Sequence, residues 1–185
     1  MNKERVQELI TELIKEIEGS DHLRPATKET PRRVANAYNE IFEGYQLDLD
    51  KDIKIFDAQY SEIIVSKDIK FYSMCEHHIL PFYGTVDIIY MPGKYLLGIS
   101  KFARVVNFFS HRLNVQERMT DDIANYLMDC PLKPRGIMVI VKGTHLCEIM
   151  RGVKQSNPII ITSAIKGIFK TNPTTRSEAL ELLKL

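Results

Sequence analysis

The chain has 185 residues, 44% hydrophobic and 26% charged, long enough to bury one core without disulfide staples. Its 25 Lys and Arg against 24 Asp and Glu leave a formal charge of +1, without the basic excess that nucleic acid or an anionic membrane demands of a partner. The N-terminus is charged and lacks a signal peptide's apolar run, no stretch is apolar enough to span a bilayer, and three cysteines are too few for a disulfide framework, so a cytoplasmic domain is expected.

Val6, Leu9, Ile10, Leu13, Ile14 and Ile17 recur at three- and four-residue intervals and predict an amphipathic helix ending near Gly19. Thr30-Pro31 reads as an N-cap followed by a first-turn proline, opening a second helix with Val34, Tyr38, Ile41 and Phe42 as its stripe and Gly44 as its stop. Residues 47–57 are charged and aperiodic. Residues 1–57 are therefore expected to form a helical arm with its connector, and 58–185 the main body.

In the body, strand-like residues 63–65 and 69–72 lead into Cys75-Glu76-His77-His78, and 83–90 lead out, which predicts an antiparallel hairpin with the loop at its tip. From Ser100 the period lengthens. Phe102, Val105, Val106 and Phe109 form an apolar stripe, with Ser100, Lys101 and Arg104 grouped on another face. A further helix starts at 114–117 with Val115, Met119, Ile123 and Leu127 inward. Residues 137–141 read as a buried strand, Lys142-Gly143 as a turn, 145–150 as another strand, 158–162 as extended chain and 176–183 as a closing helix. Segregated strands and helices predict an α+β fold with an antiparallel sheet.

Cys75 and His78 stand in a Cys-x-x-His spacing that lets two ligands curl around one metal ion. Cys147 is the candidate third ligand; as a strand, 145–151 would put His145, Cys147 and Arg151 on one face. Three protein ligands with an open fourth position are the catalytic form of a zinc site, and thiolates with imidazole favour zinc over magnesium, calcium or manganese. Plainer readings stand beside these. Free cysteines are often buried as small apolar residues, and Cys130 beside Pro131 reads as packing. Lys101 and Arg104 suit phosphate or simply a solvated face. Glu117 can close a capping box with Asn114, Gln116 is a helix former on no special face, and Arg32 and Arg33 read as surface charges.

Taken together, Cys75-Glu76-His77-His78, Ser100-Lys101-Phe102-Ala103-Arg104, Val115-Gln116-Glu117-Arg118 and His145-x-Cys147-x-x-x-Arg151-Gly152 resemble GTP cyclohydrolase I in order and approximate spacing, over about residues 27–182. The resemblance implies a tunnelling fold: a four-stranded antiparallel sheet with two helices between its second and third strands. It also implies a toroidal homodecamer with sites between subunits. The implied reaction converts GTP and water to 7,8-dihydroneopterin triphosphate and formate, at the entry to tetrahydrofolate and pterin biosynthesis. Cys75, His78 and Cys147 match the zinc ligands. His145 matches the proton donor to the guanine N7, and His77 a second catalytic histidine. Glu117, with Gln116 beside it, matches the guanine contact; Ser100, Lys101, Arg104 and Arg151 match the ribose and triphosphate contacts, and Arg33 a contact from a neighbouring subunit. Asn36 and Asn114 depart from the family pattern, where lysine (in some members) and glutamine stand. Two other classes compete: a zinc or nucleotide-binding module without turnover, closed by His77 as fourth ligand, and a related nitrile reductase using a cysteine nucleophile and a nicotinamide cofactor.

Overall fold

A computed structural model describes every residue of the chain except Asp52 and Asn157. Asp52 falls in the 47–57 stretch read as a connector, and that position lies outside the described residues. The chain divides into two compact units, Met1–Glu43 and Gly44–Leu185.

In the first unit, helix α1 (Lys3–Glu18) begins where the Asn2 side chain accepts from the Arg5 N–H, and ends where Gly19 turns left-handed at φ 60°. Its apolar stripe is only partly covered: Leu9, Leu13 and Ile17 stay more than half exposed. Helix α2 (Thr30–Ile41) starts one residue earlier than the capping pattern predicts, with Thr30 already helical and Glu29 before it making no side-chain cap. It stops at Ile41, ahead of Gly44.

Residues 44–57 fall in the second unit. Leu49 is buried in its core, and β1 (Ile55–Asp57) pairs antiparallel with β4 (Tyr95–Leu97). The long hairpin is present: β2 (Ile64–Cys75) pairs with β3 (Pro81–Met91), from Ile64 opposite Tyr90 to Met74 opposite Pro81. A bulge between Ser66 and Ile69 puts Asp68 at φ 56°, and the buried Asp87 carboxylate accepts from the Asp68 N–H at 2.8 Å and from Lys142 Nζ at 2.9 Å. Helices α3 (Ile99–Ser110) and α4 (Gln116–Asp129) follow, separated by the two-residue strand β5 (Leu113–Asn114).

The later strands depart from the sequence reading. Strand β6 (Gly136–His145) runs unbroken through Lys142-Gly143, which is not a turn. Gly143 pairs with Gly84 on one side and Ile160 on the other. The expected strand over 145–150 is instead a single helical turn, α5 (Leu146–Ile149), so strand alternation does not align His145, Cys147 and Arg151. Strand β7 (Ile160–Gly167) completes the sheet, and the turn α6 (Ile168–Thr171) and helix α7 (Pro173–Lys184) close the chain.

The sheet order is β5-β2-β3-β6-β7. Its four long strands are antiparallel neighbours, while β5 adds a parallel edge, Cys75 opposite Asn114, that two residues of sequence cannot announce. On one face Val86, Ile88, Val139 and Val141 pack with Val105, Val106, Met119, Ile123 and Leu127 of α3 and α4. On the other, Ile89, Met138 and Ile140 pack with Phe169 and Ala179. The fold is α+β, and burying both faces leaves the strand ends as the place for a site.

Candidate metal centre

Strand β2 ends at Cys75, and the loop that follows is set by backbone bonds. Cys75 N–H donates to Leu80 O at 2.9 Å, while His78 and Ile79 N–H both donate back to Cys75 O, at 3.3 and 2.8 Å. Ile79 takes φ 51° to close this turn, a conformation that β-branched residues rarely adopt. The turn brings His78 Nδ1 to 3.6 Å from Cys75 Sγ. From the far end of β6, the α5 turn delivers Cys147, and ligand atoms of Cys75, His78 and Cys147 all lie within 4.8 Å of one another. Cys75 is buried, Cys147 half-buried and His78 exposed, so the cluster opens to one side. Burial and the neighbouring Cys75 thiol push the Cys147 thiol above its ordinary range, a penalty that a cation between the two sulfurs would reverse. Two thiols and an imidazole are the donor set that zinc prefers.

Arg118 braces the loop from α4. Its guanidinium donates to both oxygens of Glu76, one bond at 3.2 Å, and also to Leu113 O at 3.4 Å. This holds the Glu76 carboxyl below the usual carboxylate range. The Glu76 N–H donates to Asn114 O at 3.0 Å. Asn114 itself is buried, with its amide donating to Ser73 Oγ at 3.0 Å and Phe109 O at 2.8 Å. It ties the loop to the sheet and makes no capping box with Glu117; α4 has no side-chain cap.

His77 is not part of the three-residue cluster; its side chain is 64% exposed and Nε2 lies 4.0 Å from Glu76 Oε1. His145, the last residue of β6, pairs with Phe82 and stacks its ring on it, with centroids 4.4 Å apart and planes 6° off parallel. Burial pushes the imidazole below its ordinary range, against the opposing pull of Glu117 and Glu148. Glu117 is exposed in the first turn of α4. Gln116, read from sequence as a helix former on no special face, is buried: Oε1 meets His145 Nε2 at 3.0 Å, and the two hydrogens of Nε2 face three acceptors, Val141 O, Ile160 O and Thr162 Oγ1. Both its amide hydrogens are engaged within the chain.

Lys101 is buried in α3, whereas Ser100 and Arg104 on the same helix are exposed. Arg151 is exposed just beyond α5, and Arg33 is exposed on α2 of the first unit. The roles of Phe82, Thr162 and Arg118 escaped the sequence reading, because each acts through a partner far away along the chain.

The sequence pattern of the GTP cyclohydrolase I family matches residues 6–184. The chain belongs to that family. GTP cyclohydrolase 1 of Leptospira biflexa is 44% identical over 181 residues, covering 97% of this chain and 98% of that protein. The Carboxydothermus hydrogenoformans protein of the same name is 43% identical over 185 residues, covering 99% and 95%. That of Deinococcus radiodurans is 45% identical over 168 residues, covering 90% and 77%. As a GTP cyclohydrolase I family member, the chain has the metal-type cluster and His145 at the ends of the two strands that flank β3, Cys75 closing β2 and His145 closing β6.

Proposed function

We propose that this chain is a GTP cyclohydrolase I, opening the guanine imidazole ring of GTP by hydrolysis to give 7,8-dihydroneopterin triphosphate and formate, the first step of tetrahydrofolate and pterin biosynthesis. One observation carries the reading. In a member of this family, Cys75, His78 and Cys147 converge from two distant segments to within 4.8 Å, with thiol and imidazole donors that fit zinc. Zinc held there would supply activation of a water molecule at neutral pH.

The chain's own residues do the rest. His145, held against Phe82 at the end of β6, donates a proton to N7 of the guanine, which makes C8 electrophilic. His77, exposed on the loop, moves protons beside the metal. Glu117 accepts from the guanine edge, and adenine is rejected because it leaves that carboxylate unpaired. Lys101 is buried, and among the described residues no carboxylate stands within ion-pair distance of it; a buried ammonium of this kind is completed by phosphate. Ser100, Arg104 and Arg151 extend that contact along the ribose and triphosphate, and Arg33 reaches the site of a neighbouring copy. The architecture is then the tunnelling fold, assembled as a cytoplasmic toroidal homodecamer with sites between subunits. A closed structural zinc site would need a fourth ligand, and His77 stands outside the cluster.

The test incubates the zinc-loaded protein with GTP and follows formate and pterin fluorescence. Both are expected, and both should vanish with a chelator. GTP binding without formate would instead make the protein a binding module. NADPH consumption with a deazaguanine nitrile would make it a reductase.

A further inference from the structure

Gln116 opens α4, yet its side chain points inward to the space between β6 and β7, 1% exposed. Its amide orientation follows from its neighbours. The carbonyl oxygens of Val141, at 3.2 Å, and Ile160, at 3.0 Å, only accept, so the NH₂ group must face them. The third neighbour, Thr162 Oγ1 at 3.1 Å, has its direction set elsewhere. Thr120 donates its hydroxyl hydrogen to Gln116 O at 2.7 Å, so the 2.6 Å contact between the two threonines must be donated by Thr162. That leaves the Thr162 oxygen to accept from Gln116. Every bond in the chain runs the same way, and Gln116 Oε1 is left facing His145 Nε2 at 3.0 Å. An amide oxygen cannot donate, so His145 Nε2 must carry a hydrogen.

We propose that Gln116 is a positioning residue: it holds the His145 ring in one orientation with a hydrogen on Nε2, so that Nδ1 is the nitrogen that meets substrate and releases the second proton of the imidazolium to it. Phe82 fixes the plane of the ring and Gln116 fixes its rotation within that plane. The reverse tautomer would need the amide flipped, setting its oxygen against two backbone carbonyls in a buried site, where unmade hydrogen bonds are most costly. The role given to Nδ1 rests on the reaction proposed above; the placement of the hydrogen does not.

Neutron diffraction from deuterated crystals of the zinc-loaded protein reads the hydrogen directly, and a deuteron on His145 Nε2 is expected. Its absence overturns the inference. Gln116→Met should lower kcat about a hundredfold, since the reacting group is no longer held in register. KM for GTP and zinc content should stay close to wild type; an unchanged kcat in a zinc-replete variant would equally overturn the positioning role. If that variant does not fold, the neutron map still decides. Because the map needs no turnover, a deuteron on Nε2 in a protein that leaves GTP intact would sink the proposed reaction and leave the hydrogen's placement standing.

Discussion

Gly143 and Gln116 share one space: a Cβ at residue 143 would stand 2.1 Å from Gln116 Oε1. The glycine near the end of β6 leaves room for an α4 side chain that lies over this face of the strand to reach His145. The amide is held by partners on all sides and cannot step aside without breaking them. Gly143→Ala should therefore destabilise the fold by about 1–3 kcal/mol, the usual range for overpacking. Turnover should fall alongside. Urea unfolding and steady-state kinetics on the same preparation check both, and a stable variant with normal turnover would show that Gln116 has room to move.

Arg118 and Glu76 join α4 to the metal loop from outside the ligand set. Because the pair is partly exposed to solvent, Arg118→Met should leave global stability little changed. The loop would lose its brace, however, and partners that orient metal ligands typically carry about 10–100-fold in affinity. Competition with a chromophoric chelator should show zinc held more weakly by roughly that factor.

Cys147 and Cys130 separate ligand from packing. Cys130 is buried, donates to Leu127 O at 3.5 Å, and takes no part in the cluster. Cys130→Ala should leave zinc stoichiometry intact and lower stability by roughly 1 kcal/mol, the loss of one small buried group. Cys147→Ser should abolish tight zinc binding while the apo fold persists. Metal analysis and circular dichroism on the two variants distinguish these outcomes, and equal zinc content in both would remove Cys147 from the ligand set.

Asp87 stitches the β2 bulge to β6. Its carboxylate is fully buried between the Asp68 N–H and the Lys142 ammonium. Asp87→Ala would strand the amide, whereas Lys142, 40% exposed, can turn to water. The expected loss is about 1–3 kcal/mol by denaturant titration, without effect on zinc content.

The sequence by itself carried the local elements and the ligand types. The periodicity of α1, the alternating strands around the Cys75 loop and the stripe of α3 all follow from neighbours a few residues apart, which share one face by backbone geometry alone. Cys75 and His78 were legible as a pair for the same reason. Only the tertiary structure decided the rest. Lys142-Gly143 looked like a turn because glycine usually marks one, but the residue answers to Gln116, 27 positions earlier, on the helix that covers this face of the sheet. Cys147 reaches the cluster from a helical turn, His77 stands apart, and Gln116 and Asn114 point into the protein. Each of these depends on which segments meet in space, and that is settled by the packing of both sheet faces, which no short window of sequence contains.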